Sequence, residues 1–241
     1  MKFGVISEGF SKTNFDLARR NFDISYSGTT VVSVMISGNT LICANVGDSR
    51  AIMASLKHKE DVENMPPQDD QFQLVKLAAD DKTSDKKWLT TILSIDHKPD
   101  RKDEYERIIE WGGRVDTFRE PDGESVGPAR VWLKDQQVPG LAMSRSVGDY
   151  VASTVGVISE PEFLEIEIKE HDKFIVIASD GVWEFISNED WIKYVIPYWE
   201  NNDPKGACKK LEQVSVEYWK KEDEVIDDIT AIVIFLNITP D

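Results

Sequence analysis

Positive charge, cysteine, histidine and long apolar runs are all scarce in this chain, and each scarcity removes a class of protein. Against 44 acidic side chains stand only 28 lysines and arginines, a formal net charge of −16 over 241 residues. Such a field repels nucleic acid and anionic membrane surfaces, so neither is expected as a partner. It favours cations, basic segments and divalent metals, and it also serves plain solubility. The two cysteines, Cys43 and Cys208, lie far apart, in no CxxC spacing and in apolar surroundings. They read as small core residues and not as a disulfide or a zinc site, which makes a reducing intracellular compartment, cytoplasmic or nuclear, the default. The three histidines, His58, His97 and His171, form no cluster of metal-ligand spacing and read as solvated or locally satisfied. No run approaches the roughly eighteen apolar residues of a membrane span. The opening MKFGVISEGFSK lacks the apolar stretch of a signal peptide. Also absent are G-x-G-x-x-G, the Walker loop and H-E-x-x-H.

What is present suits one domain over residues 1–241, with 41% hydrophobic residues to build a core. TTVVSVMIS from Thr29, the Gly38-Asn39 turn and TLICANVG predict a hairpin, and AIMAS continues as a strand after Gly47-Asp48-Ser49. From Lys57 to Lys87 the chain turns polar and acidic, as a surface insertion would, with an edge strand expected within Phe72–Ala79. A strand follows from Trp88, then a helix after Pro99 with Asp100 as cap and Gly112-Gly113 as its stop. EFLEIEI and KFIVIAS predict two more strands. A helix from Pro204, capped by Asp203, carries Ala207, Cys208, Leu211, Val214 and Tyr218 on one stripe, and TAIVIFLN closes as a buried strand. Strands in runs without strict βαβ alternation predict an α+β fold of antiparallel sheets.

At three places an Asp stands where an apolar strand meets a turn: Asp48 in NVGDSR, Asp180 in ASDG, and Asp227-Asp228 in IDDIT. Taken singly, each is an ordinary Asx-turn residue. Taken together, they are carboxylates held at strand ends, as a site for hard divalent cations requires. Asp180 is the sharpest case, because it follows FIVIAS, a run apolar on both faces, and an acid at the mouth of a buried strand needs a charge partner.

The motifs around these acids, in their order, resemble the type-2C metal-dependent Ser/Thr protein phosphatases. They are SGTT at Ser27–Thr30, ANVGDSRA at Ala44–Ala51, DHKP at Asp96–Pro99 and E-x-x-R-I with Gly-Gly at Glu104–Gly113. LAMSRSVGD at Leu141–Asp149, Glu160-Pro161, ASDGVWE at Ala178–Glu184 and DDIT at Asp227–Thr230 complete the series, and GFSKTNFDL resembles the family helix before SGTT. The resemblance implies a four-layer α-β-β-α sandwich of two antiparallel sheets flanked by helices. It implies Mg²⁺ or Mn²⁺ as cofactor, phosphoproteins as substrates, and hydrolysis of phosphoserine or phosphothreonine by a water between two metal ions. Asp180 and Asp227 are the implied metal ligands, with Asp48 on a weaker third site. Glu184 takes a third-site position that the family fills with Asp. Asp149, Gly181 and Asp228 are implied as support, Gly47 and Gly148 as backbone requirements, and Arg50 and Arg145 as anchors of acidic loops. Asp96 and His97 are implied as a structural loop.

The family's D-G-H-G-G segment, which supplies the bridging Asp, does not occur in the sequence. The expectation is therefore a fold missing its opening strands, with exposed sheet edges that promote self-association. Its activity is weak or absent in that case, and a non-catalytic phosphatase-like binding module stands as the alternative.

Overall fold

Strands form here where β-branched and apolar residues run together, and the turns fall at the Gly, Asn and Asp between them. A computed structural model describes residues 2–21, 23–63, 72–74, 85–120, 123–223 and 225–238. After helix α1 (Lys2–Ala18) come β1 (Gly28–Thr29), β2 (Val31–Ser37), β3 (Thr40–Val46) and β4 (Arg50–His58). Helix α2 (Lys59–Glu63) precedes β5 (Phe72–Leu74) and β6 (Lys86–Ile92). Helix α3 (Lys102–Glu110) is followed by β7 (Gly113–Arg119), β8 (Ser125–Leu133), β9 (Pro139–Leu141), β10 (Val147–Gly148) and α4 (Tyr150–Ser153). The remainder is β11 (Glu162–Glu167), β12 (Asp172–Ala178), α5 (Asp180–Trp183), α6 (Trp191–Glu200), α7 (Pro204–Glu222) and β13 (Ala231–Phe235). The expected α+β class with antiparallel sheets is observed. No helix among the described residues is long and apolar enough to cross a membrane.

The chain divides into two compact units. The first comprises Met1–Val32, Ala44–Asp48 and Ile95–Phe163. It holds the sheet β7-β8-β9 and a small core of Ile108, Val131, Ala152, Val155 and Val157. Helix α3 ends as expected, with Gly112 at φ 80° just past its C-cap Trp111. Its start differs: Asp100 is exposed in the preceding turn, the N-cap is Arg101, and no side chain caps the helix. Asp103 and Glu104 in the first turn supply negative charge at that end instead.

The second unit comprises Ser33–Cys43, Ser49–Ser94 and Leu164–Asp241. Its five-stranded sheet runs β13-β12-β4-β6-β5. Helices α6 and α7 bury Trp191, Ile192, Val195, Ala207, Leu211 and Val214 in the core that also holds Phe174 and Val176 of β12. The Asp203 cap of α7 is observed: its carboxylate accepts from the Gly206 N–H at 2.9 Å, with Pro204 opening the first turn. The closing strand is not buried as expected. As β13 it is the outer strand of this sheet among the described residues, with Val233 buried on the face that meets the core and Ile232, on the opposite face, half exposed. Of the acidic insertion, β5 is seen as an edge strand on β6, while residues 64–71 and 75–84 lie outside the described residues. Strands β2 and β3 form the expected hairpin, and their sheet has the order β11-β3-β2. Cys43 is buried and Cys208 half-buried, both as free thiols.

Candidate functional site

The antiparallel register Ala178↔Ala231 sets the exit of β12 beside the entry of β13, so the turns bearing Asp180 and Asp227 are neighbours. Ser179 joins them: its N–H donates to the Thr230 carbonyl at 3.0 Å, and its Oγ donates to the Asp228 carbonyl and accepts from the Thr230 N–H, both at 3.1 Å. Asp180 is half-buried and opens α5, where its Oδ1 accepts from the Gly181 N–H at 3.0 Å. A Cβ on Gly181 would stand 2.5 Å from the Asp228 carbonyl oxygen, so the two turns approach only because this residue has no side chain. Trp219 of α7 donates to the Gly181 carbonyl at 2.8 Å. Asp227 is exposed, and its Oδ1 accepts from the Asp228 N–H at 2.7 Å. Glu184, four residues after Asp180, has the i,i+4 spacing that stacks side chains on one helical face, and it is exposed. Arg50 donates to Asn188 Oδ1 and lies over the Trp183 ring at 5.6 Å.

In the first unit Asp48 is buried, and Lys98 of the DHKP motif meets its Oδ2 at 2.7 Å. The neighbouring Gly47 has φ 100°, and its N–H donates to His97 Nδ1 at 3.0 Å while its carbonyl accepts from the His97 N–H at 3.1 Å. DHKP is thus the structural loop expected, and it is bonded to the loop of NVGDSR. His97 Nε2 lies 3.3 Å from Glu162 Oε2. His58 and His171 are partly exposed and lie 3.6 and 3.7 Å from Asp85 and Asp172. Asp149 is buried at φ 47° and accepts from Ser146 Oγ at 2.6 Å, while its N–H donates to the Ser27 carbonyl. The Gly148 N–H, at φ 96°, donates to Asn14 Oδ1 of α1 at 2.8 Å.

Asp103, Glu104 and Glu162 bring carboxylate oxygens within 4.8 Å of one another, close enough to share a cation. The cations present are guanidinium groups. Glu104, with no exposed surface, accepts from Arg107 at 2.6 and 2.8 Å and from Arg145 at 2.7 and 3.0 Å. Arg101 bridges Asp103, Glu104 and Glu162. Burial alone would raise the Glu104 carboxyl, but the hydrogen bonds from Arg107, Arg145 and Ser144 outweigh it and bring it down to about 2. Burial opposes ionisation of Glu162 too, yet His97, Arg101 and Arg145 hold it well below the usual carboxylate range. The three acids are already neutralised and hydrogen-bonded, so a metal here would have to displace arginines.

The protein phosphatase 2C family matches residues 4–223. The chain belongs to that family. Among its curated relatives, probable protein phosphatase 2C 48 of Oryza sativa subsp. japonica is 34% identical over 225 residues, covering 92% of this chain and 56% of the relative. Probable protein phosphatase 2C 73 of Arabidopsis thaliana is 36% identical, covering 90% and 50%. The chain spans about half the length of the curated relatives it matches. Among solved structures, a serine-threonine phosphatase 2C from Toxoplasma gondii superposes with a TM-score of 0.74 at 17% identity, covering 97% of this chain and 66% of that one. In this phosphatase 2C chain the recognised motifs divide in two. ASDGVWE and DDIT form the two neighbouring turns that carry Asp180 and Asp227. E-x-x-R-I, SRSVGD and the EP segment converge instead on Glu104 and Glu162. The sequence reading anticipated Arg145 as an anchor but missed Arg101 and Lys98. Lys98 stands inside a quoted motif, and its partner Asp48 lies fifty residues away.

Proposed function

We propose that the domain hydrolyses phosphoserine and phosphothreonine esters in proteins with the help of divalent metal ions, Mg²⁺ or Mn²⁺, and that Asp180 and Asp227 are metal ligands in this chain. The observation that carries the reading is the pairing of the β12 exit with the β13 entry, since the two turns tied together by Ser179 each bear a carboxylate, Asp180 and Asp227. Their hard oxygen donors suit Mg²⁺ or Mn²⁺. When bound, such ions supply an activated water and positive charge for the phosphoryl oxygens. The chain's own part is to hold the acids: the Ser179 bonds and the close approach at Gly181 fix both turns, and Trp219 braces the Gly181 carbonyl. Asp48 fits a metal less well, because Lys98 already neutralises it and would have to be displaced. Glu184 extends the acidic face of α5, and Asp228 and Asp149 support their turns. In this reading the partners are phosphoproteins met inside the cell. The outer strand β13, with Ile232 exposed, is the edge through which two copies would associate.

The test is thermal unfolding of the 241-residue chain with and without Mn²⁺, run beside phosphopeptide turnover. Mn²⁺ raises the melting temperature of the parent, and Asp180→Asn and Asp227→Asn abolish the rise. An equal shift in parent and variants would remove both acids from the site. A second reading is a phosphatase-like binding module, which the neutralisation of Asp48 by Lys98 favours. A Mn²⁺ shift without turnover would select it.

A further inference from the structure

Two sets of three arginines lie in the first unit, and they are satisfied very differently. Arg101, Arg107 and Arg145 are locked to Glu104 and Glu162 by bonds mostly of 2.6 to 3.0 Å, the range of strong charge-assisted pairs. Arg114, Arg119 and Arg130 line a cavity of about 770 Å³ on the sheet β7-β8-β9, and the one acid in its wall among the described residues is Asp116. Arg114 reaches Asp116 at 3.3 Å and the Gln136 carbonyl at 3.4 Å. Arg119 reaches the same carboxylate at 3.3 and 3.4 Å. These lengths sit at the outer limit of hydrogen bonding. Arg130 spends one donor on the Gly140 carbonyl at 2.8 Å. Each guanidinium carries five N–H donors, so most of the capacity of the three is unspent. In a chain of net charge −16, the described residues of this cavity wall carry three cations against one anion.

The wall is also partly apolar. Trp132 packs beneath Arg114, 5.5 Å from guanidinium carbon to ring centre. Phe118 and Val126 face each other across the β7–β8 ladder and are 50% and 46% exposed, so an apolar surface stands beside the arginines. The volume is that of a site for several side chains and far exceeds what one inorganic anion needs.

We infer that this cavity binds an acidic peptide segment, its carboxylates or phosphates on Arg114, Arg119 and Arg130 and an apolar residue against Phe118 and Val126. A forked guanidinium matches a carboxylate or phosphate in bidentate fashion, and three of them around one weakly held Asp116 are better neutralised by an arriving anion than by what is there. Asp116 then acts as an internal competitor for the arginines. The inference does not rest on the metal site: it uses other residues, in the other unit.

The test is fluorescence anisotropy with a labelled octapeptide bearing two Asp pairs around a Leu, its phosphoserine version and a Lys-for-Asp counterpart, on the 241-residue chain. The acidic and phosphorylated peptides bind saturably and the Lys peptide does not. Arg119→Glu, on an exposed side chain, weakens binding at least tenfold. Asp116→Asn keeps the shape but frees both arginines, and it tightens binding severalfold, which structural damage would not do. Asp180→Asn binds the peptide as the parent does, whatever becomes of the metal site. Binding by Arg119→Glu within twofold of the parent, or weaker binding by Asp116→Asn, would overturn the inference. So would displacement by inorganic phosphate at peptide-like concentrations with no effect of Phe118→Ser, since a bare anion site would then suffice.

Discussion

A carboxylate with no surface in water is costly unless its charge is met, and Glu104 is met by Arg107, Arg145 and Arg101 at once. Its folded-state pKa of about 2 lies below the 4.5 of a free glutamate, so the ionised group stabilises the fold. That stabilisation is fully present above about pH 4.5 and is lost as pH falls from there toward 2. Glu104→Gln removes the charge and leaves buried guanidinium groups facing an amide, which is expected to cost about 3–5 kcal/mol at pH 7. Urea titrations at pH 7 and pH 3 check this: the two proteins should differ most at neutral pH and converge on the acid side. An equal difference at both pH values would mean that Glu104 acts through its shape and not its charge. The sequence marked Arg145 as an anchor of an acidic loop, but not that the acid it holds is Glu104. An acid in the first turn of a helix reads as a dipole partner, and Arg145 lies 41 residues away.

Among the elements, β12 lies inside the sheet between β13 and β4 and sends Phe174 and Val176 into the core. Phe174 is fully buried with ring centres of Trp88 and Trp191 each 5.5 Å away, and Phe235 at 6.2 Å. Phe174→Ala is expected to cost about 3–5 kcal/mol, read as a lowered urea midpoint at an unchanged slope. A cost below about 1 kcal/mol would show that the aromatic cluster closes over the gap. This strand was legible because FIVIA is apolar on both faces, and α7 was legible because Asp203-Pro204 is a direct cap signal. The β7-β8-β9 sheet was not. GRVDTFR has only Val115 and Phe118 as apolar residues, three apart and so out of strict alternation, and SVGPARVWL carries Gly127 and Pro128, residues that argue against a strand interior. Helix α6 was hidden by Pro197 within it. The outer position of β13 could not be read from TAIVIFLN, because burial of a strand depends on its neighbours and not on its own hydrophobicity. The same distinction governs the candidate site. Asp180 and Asp227 were found by their turns, but that Ser179 ties those turns together follows only from the register of β12 on β13.

At the scale of the whole molecule, the net charge of −16 and the local excess of arginine around Asp116 act on an acidic ligand with opposite signs and different reach. The Debye length is about 30 Å at 0.01 M salt, about 8 Å at 0.15 M and about 3 Å at 1 M. In dilute salt an acidic peptide therefore feels repulsion from charges spread over the chain as well as attraction from the three arginines. Near 0.15 M the distant acids are screened, while guanidinium groups in hydrogen-bonding contact with the ligand are not. Near 1 M the contact pairs weaken as well. Affinity for the acidic octapeptide should accordingly pass through a maximum near physiological ionic strength, instead of falling steadily as it does where the whole field attracts the ligand. Anisotropy titrations at 0.01, 0.15 and 1 M NaCl decide the point. A steady fall from the lowest salt would mean that the acidic charge of the chain does not reach the cavity. In Arg119→Glu the attraction is largely removed, so only the repulsive limb should remain and what binding persists should rise with salt throughout.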